Sequence, residues 1–193
     1  MNTTRRINQR QEREFFAHHM LLHVASLELE TAKSTELGRF NHCLVAMTFS
    51  ALAIEALANA VGKRAINEWS DFESTSPIGK VRLLAERLSI QYEPTSEPWA
   101  MLRYLIRFRN TIAHAKPEQL TEEKDMHQIE YNAQLLRKPP SKMEQEITLG
   151  NAKRCFEAVH TLKGLFSDAL PENKRFGIYC DSWSGRSELL DDD

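Results

Sequence analysis

The stretch from Cys43 to Val61 limits the possible folds more than any other part of this chain, because it is apolar almost throughout and yet contains Glu55 and Asn59. Its length approaches the roughly 20 residues that cross a bilayer. Alanine is its commonest residue, however, so its hydropathy is modest. A central carboxylate would also cost roughly 2.5 to 3.5 kcal/mol on insertion scales. The stretch therefore reads as the buried central helix of a bundle, from roughly Arg39 to Lys63, with Gly62 able to help close it. No membrane partner is expected.

Around that helix the apolar spacing predicts four more. Phe15, Phe16, Met20, Leu22, His23, Leu27 and Leu29 recur at helical spacing and predict a first helix from about Gln9 to Lys33. Ile78, Val81, Leu84 and Leu88, with Lys80, Arg82 and Glu86 between them, spell a third, amphipathic helix. Pro98 suits the first turn of a fourth, whose apolar face is Trp99, Leu102, Leu105, Ile106 and Ile112 and whose end is set by Lys116-Pro117. Thr148 is a plausible N-cap for a last helix reaching Leu170, with Phe156, Val159, Leu162, Leu165 and Phe166 as its buried stripe. Residues 118–147 are charged, contain Pro139-Pro140 and read as an insertion or long connection; residues 171–193 have no usable period.

With 193 residues, one domain is the expectation, and only seven Gly and seven Pro leave little punctuation for many short strands. The expected class is all-α: an up-and-down bundle of four to six helices. A formal net charge of -2 argues against coating nucleic acid through bulk electrostatics, so any RNA contact must be local. Cys43, Cys155 and Cys180 form no CxxC pair, and the opening residues lack an apolar signal core, which together favour a cytoplasmic protein.

The chemistry concentrates near residue 110. At about 100° and 1.5 Å per residue, Asn110 and His114 share a helix face, while Arg109 lies about 140° from His114. Arg107 falls within about 20° of the His114 azimuth and about 10.5 Å away, and Arg103 continues the line. In the central helix Thr48, Glu55 and Asn59 recur at intervals of seven and four, so they form one polar stripe. A carboxylate among Ala and Leu calls for a cation, and the arginines of the fourth helix are the nearest by topology. Glu55 is thus expected to orient Arg109 or Arg107.

The segment Leu105-Ile-Arg-Phe-Arg-Asn-Thr-Ile-Ala-His114-Ala resembles the signature of the HEPN superfamily (higher eukaryote and prokaryote nucleotide-binding), an Arg followed after four to six residues by His. The upstream Ala-Leu-Ala-Ile-Glu55-Ala-Leu-Ala-Asn59 is similar to the helix preceding it in many members. Both Arg109 and Arg107 fit the spacing; Arg109 is preferred because a polar residue, Asn110, follows it. The resemblance implies a helical bundle that dimerises so that two motifs line one cleft. It also implies a metal-independent endoribonuclease needing no cofactor, acting as a toxin or as an antiphage or stress effector, with an antitoxin protein as a possible partner. His114 would be the general acid/base, Arg109 the phosphate clamp and Asn110 the positioning residue, supported by Glu55, Asn59, Arg107 and Arg103. An imidazole that titrates near 6.5 and a guanidinium suit that chemistry. The alternative is a non-catalytic module of the same type that binds a nucleotide or a protein. In that case His114 complements the helix C-terminus and Arg109 is an ion-pair partner.

Other candidates carry less. His18, His19 and His23 contain an i, i+4 pair, but no further ligand completes a zinc site, so helix-surface or core histidines are expected. Cys155 and His160 are five apart and do not face each other on a helix. Tyr179 and Trp183 are expected to pack on the bundle rather than stack on bases. The chain has no Gly-rich phosphate loop.

Overall fold

A computed structural model describes residues 7–133 and 137–189. Its elements run β1 (Ile7–Glu14), α1 (Ala17–Ser34), α2 (Arg39–Ala65), a 3₁₀ turn (Trp69–Phe72), α3 (Pro77–Arg87), α4 (Trp99–Ala113), α5 (Gln128–Ala133), α6 (Lys142–Glu146), α7 (Leu149–Ala169), α8 (Glu172–Arg175) and β2 (Ser182–Leu189).

The expected all-α class is wrong. β1 and β2 form an antiparallel two-stranded ribbon, with Ile7 opposite Leu189 and Glu14 opposite Ser182. The first helix accordingly starts at Ala17 and not near Gln9, because the chain is still extended at Phe16 (φ -114°, ψ 102°), which precedes the helix as its N-cap residue. Gln, Arg and Glu are good helix formers. Here the backbone groups of residues 7–14 instead bond to a strand more than 160 residues away in the chain.

α2, α3, α4 and α7 follow the apolar pattern, whereas of the face expected for the first helix only Phe16, Leu22 and Leu29 are buried and Phe15, Met20, His23 and Leu27 are exposed. In α1 the buried residues His18, Leu22, Ala25, Leu29 and Ala32 lie three and four apart and face α2. α2 is the hub. Its Ala46, Met47, Ala53, Ile54, Leu57, Ala58 and Val61 are completely buried, against Leu84 of α3, Leu102 and Leu105 of α4, and Val159, Leu162 and Phe166 of α7. Small Ala side chains let the neighbouring helices approach this one closely. α2 is long and apolar enough to cross a membrane by length and composition, and half of its most apolar window is buried inside the fold.

Caps fix the boundaries. Ser76 Oγ accepts from Gly79 N (3.2 Å) and Thr148 Oγ1 from Asn151 N (3.1 Å) at the starts of α3 and α7. Ser141 and Glu144 form a reciprocal capping box on α6. Among the described residues, segment 118–147 contains only the short helices α5 and α6. The Trp69 indole lies flat on Gly62 of α2, where a Cβ would come within 2.2 Å of the ring.

The tail is tied to the bundle around Gly177 and Ile178 and to β1 through β2. His18 Nε2 donates to the Ile178 carbonyl (3.1 Å) and His19 Nε2 to the Gly177 carbonyl (2.9 Å). Gly177 has φ +85°, a left-handed conformation suited to glycine, and packs on the Phe16 ring. Arg64, at the end of α2, donates to Glu14 Oε2 (3.1 Å) and to the Phe176 carbonyl (3.0 Å), joining the roots of both strands. Tyr179 and Trp183 are exposed rather than packed on the bundle, at 69% and 72%.

Candidate functional site

Glu55 is the centre of the polar arrangement between α2, α3 and α4. It sits on a partly exposed side of α2, with its side chain 35% exposed. Its Oε2 accepts from Arg109 Nη2 at 3.0 Å and its Oε1 from Lys80 Nζ at 3.1 Å. One carboxylate therefore serves two cations, and the cluster carries a net positive charge. The expectation that Glu55 orients Arg109 or Arg107 resolves in favour of Arg109.

Lys80 was missed as a member of this site. Read as one of the polar residues of the third helix, it is in fact 1% exposed. The signal was available, because Lys80 lies four residues before Leu84, a fully buried position, and so shares the inner face of α3. A buried ammonium requires a partner, and Glu55 is the carboxylate it finds.

Arg109 is held at several points. Besides Glu55, its Nη1 donates to Asn110 Oδ1 at 3.1 Å, and its side chain is 25% exposed. A guanidinium has five N–H groups. Two are used by Glu55 and Asn110, and Nε is buried without a partner among the described residues. Two N–H groups on the terminal nitrogens remain for an anion.

Arg103, Arg107, Asn110 and His114 are all exposed, as a shared helix face requires. Arg107 and Arg103 line a cleft of about 390 Å³ with Ile78, Pro94, Ala100 and Ile106. On its other side Arg107 lines a second cleft of about 360 Å³, with Tyr104, Thr111, Lys142 and Glu146 among its walls. His114 terminates α4. Its backbone N–H donates to the Asn110 carbonyl at 3.0 Å, which fixes it one turn beyond Asn110. The imidazole faces solvent, and among the described residues no hydrogen bond or ion pair joins it to the three arginines.

One expected participant stands apart. Asn59 lies one turn beyond Glu55 on α2, but its Oδ1 is buried and has no partner among the described residues, so the polar stripe does not converge as a whole. Cys155 is fully buried beside Met101, its Sγ 3.7 Å from the Met101 Sδ, and burial pushes its thiol up to about 12. It is no nucleophile. His18 and His19 are engaged with backbone carbonyls of the tail. Among the described residues no group of three or more His, Cys, Asp or Glu side chains is placed to hold a metal.

Compared with family models, with curated proteins and with solved structures, the chain matches none of them.

Proposed function

We propose that this protein is a metal-independent endoribonuclease of the HEPN type, working on RNA as a homodimer in the cytoplasm. The observation that carries the reading is the anchored guanidinium of Arg109, which Glu55 and Asn110 hold five residues before an exposed imidazole at the end of the same helix. Such pre-positioning lowers the entropy lost when a phosphate binds. The two remaining N–H groups of Arg109 suit two oxygens of one phosphodiester.

In this reaction His114 takes the proton of a ribose 2′-hydroxyl, and the 2′-oxygen attacks the adjacent phosphorus. The bond from phosphorus to the 5′-oxygen breaks, and that oxygen leaves with a proton from a protonated imidazole. Arg109 stabilises the charge on the non-bridging oxygens. A second His114, supplied across a two-fold axis, gives one subunit the base and the other the acid. Arg103 and Arg107, exposed along the same face, track the flanking backbone. A role as a toxin or as an antiphage or stress effector, restrained by an antitoxin protein, belongs to this proposal.

Incubation of the purified protein with structured RNA in EDTA tests it. Cleavage that His114→Ala abolishes supports the enzyme. A second reading rests on the same arginine: with Glu55 and Asn110 already engaged, Arg109 also serves as a strut between α2 and α4, and the module then binds a nucleotide or a protein without chemistry. RNA that stays intact across a range of substrates while a ligand is retained favours that reading.

A further inference from the structure

The ribbon of β1 and β2 lies outside the core. All eight residues of β1 are exposed, and among the described residues each strand pairs only with the other, so each keeps one open edge. A two-stranded ribbon by itself is marginal in water, and independent stability takes three or more strands with an apolar face, or packing on a helix. Within the ribbon Arg10 sits directly opposite Arg186, a like-charge pair that weakens it further.

We propose that the open edge of β1 is where two copies of this chain join, antiparallel about a two-fold axis through Gln11, to make one four-stranded sheet. Residues directly opposite in such a pairing share a face. With Gln11 on the axis, Arg10 lies opposite Glu12 of the partner subunit, and Glu12 opposite Arg10 of the partner subunit. Ile7, 61% exposed, then lies opposite Phe15 of the partner subunit, itself 56% exposed. Asn8 meets Glu14 and Gln9 meets Arg13 in the same register.

The register is selective. Moving it two residues one way sets Arg10 against Arg10, and two residues the other way sets Glu12 against Glu12. Only the middle register pairs opposite charges and apolar groups together, twice each. It also gives Arg10, whose Arg186 neighbour is repulsive, a carboxylate on its open side. In the single chain Arg10 and Glu12 already lie on one face and form an ion pair, but one largely in water, which contributes little. The inference does not depend on the proposed ribonuclease activity.

Sedimentation velocity of the full chain over a range of concentrations tests it with Arg10→Glu and Glu12→Arg. Both positions are exposed, and neither belongs to the bundle core. The parent associates. Each single reversal puts like charges opposite each other at two places and weakens association at least tenfold. An equimolar mixture of the two variants restores it, because one chain then presents two Glu and the other two Arg; the Arg10→Glu/Glu12→Arg double variant restores it within one chain. A parent monomeric at every concentration overturns the proposal. So do single variants that associate as well as the parent, or a mixture that stays apart. A dimer insensitive to both reversals is built on another surface.

Discussion

The ammonium of Lys80 and the carboxylate of Glu55 meet at 3.1 Å, and of the two only Glu55 reaches solvent. This asymmetry sets the stability of the whole site. Glu55→Ala leaves a buried ammonium unpaired and is expected to cost about 3 kcal/mol. Lys80→Met removes the buried charge, keeps the volume and leaves Glu55 with Arg109, so it is expected to cost less than about 1 kcal/mol. Urea denaturation of both variants checks the order. A Lys80→Met that is the more damaging contradicts it.

His18 makes stability depend on pH. Burial depresses its pKa from 6.5 to about 4, the Ile178 carbonyl opposing the shift, while His19 and Lys163 add to it and Asp181 partly offsets them. Nε2–H is used by that carbonyl, so protonation would place a second N–H at the buried Nδ1, which has no acceptor among the described residues. Above 6.5 neither the folded nor the unfolded state carries the charge. Between 6.5 and about 4 only the unfolded chain takes the proton, so stability falls by about 1.4 kcal/mol per pH unit as the pH drops through that window. Denaturation at pH 7 and pH 5 is expected to show the loss, and His18→Gln to reduce it. A His18→Gln profile parallel to the parent's would rule this origin out.

Gly62 accommodates the Trp69 indole. A Cβ there would stand 2.2 Å from the ring, deep inside van der Waals contact, with the helix on one side and a buried ring on the other. Gly62→Ala is therefore expected to destabilise by about 1 to 3 kcal/mol, despite alanine's better helix propensity. Thermal melting decides, since a stabilised variant would mean that the indole moves aside freely.

Arg103 and Arg107 should behave unlike Arg109 in RNA binding. Both are exposed beside open clefts and have no part in the Glu55 cluster. Arg103→Ala and Arg107→Ala are each expected to leave stability unchanged and to lower the salt slope of RNA binding by about one. Arg109→Ala also leaves Glu55 with Lys80 alone and lowers stability. Filter binding at several salt concentrations, beside melting curves, separates the two kinds of arginine.

The parts of the fold legible in the sequence are those where periodicity and caps agree. α2 starts at the expected Arg39, and Thr148 caps α7 as its side chain and position suggested. The pairing of Glu55 with an arginine of α4 was legible because an acid among alanines demands a cation. The ribbon was not, since Asn8 to Glu14 carry no apolar alternation and their partner strand is distant in the chain. Lys80 was hidden by its charge, which outweighed its helical position. Which way Arg109 and Arg107 turn depends on side-chain packing that spacing does not encode.

If His114 and the anchored Arg109 cleave RNA by activating a nucleophile within the substrate itself, the chemistry of the new ends records it. Mass spectrometry of RNA fragments produced in EDTA tests this most directly. New ends bearing a 2′,3′-cyclic phosphate and a 5′-hydroxyl are expected, absent with His114→Ala. Fragments ending in a 3′-hydroxyl and a 5′-phosphate, or cleavage that persists in His114→Ala, would contradict it.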